Sequence, residues 1–400
     1  MTMLLASATE QNTSRPKTHP RSTLGVATFD QLESFDGSPE WQAWRRLFRE
    51  LPDSSLRQYP DFVRHQMNEF LPTDKLPVCV AQNSGDDETA AVGILMPYRI
   101  RFNEAIAGLT GPGTEIHGYR LAGGRVLSQH AASEKSVFEA ALQTAQSTKA
   151  QFVLVEDVIR GSPMDSLIRD SLHTDWHCFV PSVESRWGIR MNMTRDDYWQ
   201  SISKNTRKKI KQRSRKLEDS EVRFVTDVDQ IPDFVSDVLR VTEASWKSRQ
   251  DDDVIDEEEL TQRLTHLASQ GMLRAWSLML NDRPIAFDIT AGLNGRMEGM
   301  ECAYDEKLAH LSPGMVLLSR TIDDLFGMDD VDFYDFGHGD MDYKARLSND
   351  CRKSYHAILM PPGIRSTALL GAIRTARFTF NSTRTIADRL GIKTWLKKLL

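Results

Sequence analysis

Three short segments in the second half of the chain carry side chains able to do chemistry. In AYDEKLAHLSPGMVLLSRTIDDL a strand-like stretch ends, a loop follows, and Ser312-Pro313-Gly314 opens a helix. The first-turn amides of a helix lack an intrahelical partner and carry the positive end of its dipole, so the junction suits a pyrophosphate. A second segment, YWQSISKNTRKKIKQRSRKLE, holds eight lysines and arginines between positions 204 and 216. That density reads either as phosphate binding or as a solvated basic helix face. The third, DFGHGDMDYKARLS, is broken by glycines and rich in groups that bind protons: Asp335, His338 and Asp340, then Tyr343 and Lys344. Of these, His338 has the unperturbed pKa closest to neutrality.

Other chemistries find no support. There is no GxSxG, no cysteine in an activating context and no P-loop, which argues against acyl-serine or acyl-cysteine hydrolysis and against ATP hydrolysis. The four cysteines and the histidines are scattered, so no metal site is expected. A net charge of −6, and a basic segment without interleaved aromatics, argue against DNA binding. No apolar stretch spans a bilayer and MTMLLASATE lacks a basic n-region, so the expected location is the cytoplasm.

The pattern that must position these segments occurs twice. PVCVAQ, a polar turn and AAVGILMPYRIRF form a hairpin in the first half, as LRAWSLML, NDRP and IAFDITAGL do in the second. Each is followed by a further strand, a helix and a strand. The expected fold is α+β, with tandem domains over 40–193 and 198–360, each a mixed, largely antiparallel sheet flanked by helices. A single basic helix is expected over 198–218. Residues 1–25 lack periodicity and are expected to be disordered. The stretch 365–400 has the character of a basic amphipathic tail suited to an anionic membrane surface, or of a helix docked by its leucines.

The order and spacing of the three segments resemble the GNAT superfamily, and in particular the CelD/BcsL-type acetyltransferases of bacterial exopolysaccharide synthesis, relatives of the Fem transferases with their paired GNAT-like domains. The resemblance covers about 198–360 and is architectural over 40–193. It implies acyl-CoA, acetyl-CoA in the first instance, as donor, with Ser312, Pro313 and Gly314 at its phosphates. In place of the family's glycine-rich loop this chain has SPG. Arg207 matches an arginine that lies against a phosphate, and Tyr343 and Lys344 match an aromatic–lysine pair beside the reacting carbonyl. Transfer in this family is direct, so positioning and a proton acceptor are required and a nucleophilic side chain is not. Asp335, His338 and Asp340 are the acceptor candidates, Asp340 standing nearest the matched lysine, with Glu298, Glu301 and Tyr304 as further cleft residues. The implied acceptor is an amine on a small-molecule or lipid-linked sugar, with the first half forming one wall of its cleft. The rivals are transfer from aminoacyl-tRNA and a scaffold without catalysis.

Overall fold

A computed structural model describes residues 23–28, 37–51, 54–63, 77–83, 89–101, 115–171, 176–249, 255–337, 339, 341–364, 366–368, 370–371 and 375. The segment 1–25, expected to be disordered, meets these only at 23–25, which open strand β1 (Thr23–Thr28). Most of the 365–400 tail lies outside the described residues.

The first half contains α1 (Pro39–Glu50), β2 (Val78–Asn83), β3 (Thr89–Arg101), β4 (Glu115–Leu121), β5 (Leu127–Ser128), α2 (Ala131–Ser147), β6 (Val153–Ile159), α3 (Pro163–Ser171), β7 (His177–Phe179) and β8 (Val183–Arg190). The second contains α4 (Arg195–Ser201), α5 (Lys204–Lys216), β9 (Glu221–Val225), α6 (Ile231–Glu243), α7 (Glu257–Ser269), β10 (Leu273–Leu280), β11 (Arg283–Leu293), β12 (Gly295–Tyr304), α8 (Pro313–Leu325), β13 (Val331–Asp335), α9 (Asp342–Leu347) and β14 (Asp350–Met360). The expected single basic helix is therefore two, α4 and α5. Ile202 leaves helical geometry to enter the core beside Tyr198, and the Ser203 hydroxyl accepts the Thr206 amide at 3.2 Å to start α5 afresh.

The repeat is real at the level of structure. In each half an antiparallel three-stranded unit (β2-β3-β4, β10-β11-β12) is followed by a helix (α2, α8) and then a strand parallel to the third, β6 beside β4 and β13 beside β12. The halves are not separate sheets. All strands join one sheet in the order β1-β2-β3-β4-β6-β14-β8-β13-β12-β11-β10-β9, with β5 and β7 at its side. The two closing strands are exchanged: β8 pairs with β13 of the second half, β14 pairs with β6 of the first, and the two pair with each other. Hydrogen bonding therefore runs unbroken between the halves.

Helix α1 lies over β3 and β5 of the first half and helices α6 and α7 over β10 and β11 of the second, and Trp41, Trp44, Phe234, Val238, Leu264 and Phe287 form a common core between them. Helix α8 covers the opposite face. Its Val316, Leu317, Ile322 and Leu325 recur at helical spacing and are buried against Trp276, Ala286 and Tyr334. Each such side chain contributes about 1.5–3 kcal/mol by leaving water. Tyr198 on α4 donates its hydroxyl to the Leu347 carbonyl at 2.7 Å, which fixes the end of α9 against this layer.

Candidate active site

The parallel pair β12/β13 runs only from Gly295↔Val331 to Glu298↔Asp335, with a register shift between Gly295 and Arg296. Beyond Asp335 the chain turns away through Gly337, whose φ is +71° and whose missing Cβ would stand 3.0 Å from the Gly299 carbonyl. From Gly299 to Tyr304, β12 instead lines a cavity of about 820 Å³. That volume falls in the range of sites built for small molecules and cofactors.

Strand alternation shows that the cavity passes through the sheet. On β11, Phe287 and Ile289 belong to the core under α6 and α7, so Asp288, between them, faces the α8 side together with Ala286. Cys302 pairs with Asp288 and shares its face. Tyr334 on β13 and Tyr343 and Lys344 on α9 complete that side. Glu301 pairs with Ile289, takes Lys247 at 2.8 Å and lies near Arg263 of α7. This second side is closed by Leu56, Arg57 and Phe62 of the first half and by Trp246. The first half thus contributes a wall, and the Leu56 amide donates to Glu298 at 3.0 Å across the junction.

The junction before α8 is a helix start that opens on the cavity, with one difference from expectation. Ser312 is left-handed, φ +57°, and its hydroxyl turns back toward the Ala309 carbonyl instead of capping the helix. The Met315 and Val316 amides both return to the Ser312 carbonyl, and Pro313 has no amide hydrogen. The Gly314 amide is therefore the first-turn donor at the cavity wall. Ser312 and Gly314 line the cavity, and buried Pro313 sets the backbone behind them. An added Cβ at Gly314 would come within 3.1 Å of the Tyr304 ring, so glycine keeps this edge low.

The other predicted residues separate into three groups. Tyr343 and Lys344 line the cavity, as do Glu298, Glu301 and Tyr304. Asp335 does not. It is 1% exposed beneath the floor, where Arg186 Nε donates to it at 2.7 Å and Arg296 also reaches it. Burial would raise its pKa, but Arg186, Arg296 and the Gly337 amide outweigh burial and hold it below the usual carboxylate range. A carboxylate held so firmly ionised is a poor proton acceptor. Arg207 is exposed on α5 and bonds the Ile202 carbonyl at 3.1 Å, away from the cavity. The face of α5 turned toward α8 instead carries Thr206, Lys209, Ile210 and Arg213, one helical stripe lining an adjoining pocket of about 230 Å³ with Met315. Arg213 reaches the main cavity as well. His338 and Asp340 lie outside the described residues.

Lys344 is 4% exposed and donates from Nζ to the Gly337 carbonyl at 3.2 Å. The Gly337 amide in turn donates to Asp335 at 2.9 Å, so the buried ion cluster is linked to the lysine through one glycine residue. Burial draws the lysine pKa down, while nearby Cys302 and Asp335 pull it up. Asp288 and Cys302 were not singled out by sequence. The available signal was an aspartate in the apolar run IAFDITAGL, where a lone polar residue at an inward position needs a reason. Cys302 is open to the cavity yet surrounded by protein, and burial pushes its thiol up to about 11.

Residues 204–345 match the model of a family described as the acetyltransferase (GNAT) domain. The match runs from α5 into α9 and so includes the cavity walls contributed by β11, β12, α8 and α9. No curated protein matches the chain. Among solved structures the chain is similar to FemX, with 10% identity and a TM-score of 0.56 over 80% of this chain and 95% of that one. It is also similar to the C-terminal domain (DUF2156) of a putative lysylphosphatidylglycerol synthetase from Agrobacterium fabrum, with 9% identity and a TM-score of 0.50 over 83% and 94%. At such identities the likeness is one of fold, and it extends over both halves. The match to a GNAT acetyltransferase model over 204–345 thus sits within a mixed α+β fold similar to that of FemX. Among the described residues no helix is long and apolar enough to cross a membrane.

Proposed function

We propose that the protein moves an acyl group, acetyl in the first instance, from acyl-CoA to an amine on a sugar or polysaccharide precursor by direct attack. The observation that carries this reading is the cavity through the sheet where β12 and β13 part. One side offers a helix-start amide, a cationic stripe and Lys344, and the other a space walled by both halves, with Lys247, Arg263 and Glu301 among its lining. A donor entering along α8 and an acceptor entering beneath the first half would meet in the opening, so the fold supplies proximity without a covalent intermediate. Ser312, Pro313 and Gly314 would hold the donor phosphates, and Lys344 the oxyanion that develops on the thioester carbonyl. The basic tail would keep the enzyme near a membrane where lipid-linked acceptors are made.

A second reading has one observation in its favour. Helix α5 buries none of its residues while carrying eight cations, a surface suited to the phosphates of a charged tRNA as aminoacyl donor.

Calorimetric titration with CoA and acetyl-CoA separates the two. Saturable binding is expected for the wild type, with at least tenfold weaker binding for Gly314→Asp, about 1.4 kcal/mol, from a negative charge set at the helix start. No binding by the wild type would remove CoA and move the weight to charged tRNA, or to a scaffold without chemistry. The same titration tests the cationic stripe. Arg213→Ala is expected to weaken CoA binding by about tenfold, in line with a lost charged hydrogen bond, and Arg207→Ala to leave it unchanged. The reverse ranking would restore Arg207 to the phosphate site.

A further inference from the structure

The donor side of the cavity holds a carboxyl for which the matched segments give no role. Asp288 lies in the middle of β11, 5% exposed, cross-strand from Cys302, and lines the cavity. Its Oδ2 has no hydrogen-bond partner among the described residues. The Thr321 hydroxyl on α8 is near enough to oppose the effect of burial on this carboxyl, although no hydrogen bond of regular geometry joins the two. A buried carboxyl oxygen without a regular hydrogen bond costs stability and is a candidate for a functional role.

We propose that Asp288 is the acid that hands its proton to the sulfur of the departing CoA. This rests on acyl-CoA as the donor. The acceptor nitrogen attacks the thioester carbonyl carbon, the C–N bond forms, the C–S bond breaks, and the electron pair left on sulfur takes the Asp288 proton. The nitrogen gives up its own proton to water on the acceptor side, and water in the cavity returns one to the Asp288 carboxylate. One amine and one thioester thus become one amide and one thiol.

The face of the sheet decides the assignment. Sulfur arrives on the α8 side, whereas Glu298 and Glu301 stand on the acceptor side among Arg186, Lys247 and Arg263. The donor-side groups facing Asp288 are Cys302 from β12, Tyr334 from β13, and Tyr343 and Lys344 from α9. Helix α8 adds Thr321 and, one turn on, Asp324, which accepts the Trp276 indole N–H of β10 at 2.8 Å. Cys302 and the two tyrosines hold their protons more tightly than usual because they are buried. Burial pushes Asp288 up to about 7, with Thr321 opposing, so it is the group here with a proton to give near neutrality.

The test is Asp288→Asn, nearly isosteric and relieved of a buried charge, with its thermal melt recorded alongside. With acetyl-CoA and glucosamine, kcat followed by thiol release is expected to fall about 10²-fold. The wild-type loss of kcat as pH rises through about 7 is expected to vanish in the variant. With p-nitrophenyl thioacetate, whose thiolate leaves without a proton, wild type and variant are expected to turn over alike. A variant that keeps the pH limb near neutrality, or that loses the aryl thioester as severely as acetyl-CoA, would overturn the acid role in favour of a structural one. Wild type that turns over no acetyl-CoA would overturn the donor reading, and the acid role with it; that result appears before any variant is made.

Discussion

Lys344→Met is expected to lower kcat for acyl transfer by about 10²–10³, the usual loss when one preorganised donor to an oxyanion is removed. The reason lies in where the ammonium is held. Its side chain lies on the cavity wall beside Cys302, and its Nζ is steered by the Gly337 carbonyl at 3.2 Å rather than by solvent. In such an enclosure a fixed positive charge acts through little screening and needs no reorganisation as charge develops on the carbonyl oxygen. Methionine keeps the length and the apolar stem, so the fold has no cause to fail. On the proposed reading the lysine serves the transition state and α8 the donor phosphates, so KM for acetyl-CoA is expected to change little. Burial lowers the lysine pKa. Activity that depends on the ammonium is therefore full below that pKa and is lost as pH rises through it, at lower pH than for an exposed lysine. Equal kcat in the variant, or an effect confined to KM, would move Lys344 from the chemistry to binding.

Asp335→Asn is expected to act mainly on stability, by about 3 kcal/mol, the low end for a buried ion pair broken on one side. Arg186 and Arg296 converge on this carboxylate, and Arg186 is itself almost wholly buried. Glu298 and Asp157, at 3.8 and 3.7 Å from Arg186, keep part of the compensation, so the loss does not reach the upper end of that range. The pH dependence has a definite sign. Asp335 titrates lower in the folded protein than in the unfolded chain, so its contribution is present above about pH 4 and disappears as pH falls through the folded pKa. The gap in melting temperature between wild type and variant should therefore be widest near neutrality and close on acidification. A constant gap would mean that packing, and not charge, is what the substitution disturbs. Because Asp335 also fixes Gly337 and through it Lys344, a smaller fall in kcat is expected alongside. That makes Asp335 a positioning residue and not a proton acceptor.

The exchange of closing strands bears on any attempt to isolate the second half. A chain begun near Met193 lacks β6 and β8, the strands that flank β14, and β8 is also the outer partner of β13. Loss of activity in such a truncation would report an unsupported sheet as readily as a missing acceptor wall. Single substitutions at Leu56 or Arg57 address the wall without that complication.

Much of this was legible in order and spacing. The doubled hairpin–strand–helix–strand pattern, the helix opening at Pro313, and Tyr343 and Lys344 in the cleft all rest on local signals: alternation, turn residues, a helix start and a motif. Such signals act within one element or between neighbours, and a chain read in sequence contains them. The break of the basic helix at Ile202 did not declare itself, because a buried isoleucine and a serine cap fit helix and break equally well until the core is known. Nor did the choice between Arg207 and Arg213. Both are arginines on one cationic helix, and only the packing of α5 against α8 decides which stripe faces the cavity.

What the sequence by itself determined is therefore the inventory: two similar α+β halves, a helix start at Pro313, a dense cationic segment, and a lysine after a glycine-broken strand end. What only the tertiary structure decided is the company each residue keeps. Asp335, Arg186 and Arg296 come from three strands and neutralise one another, with Asp335 beneath the cavity floor, while Asp288, midway along β11, lines the cavity with one oxygen that has no regular hydrogen bond among the described residues. Ionisation and reactivity depend on burial and on charges within a few ångströms, and those distances are set by strand pairing across more than a hundred residues of chain.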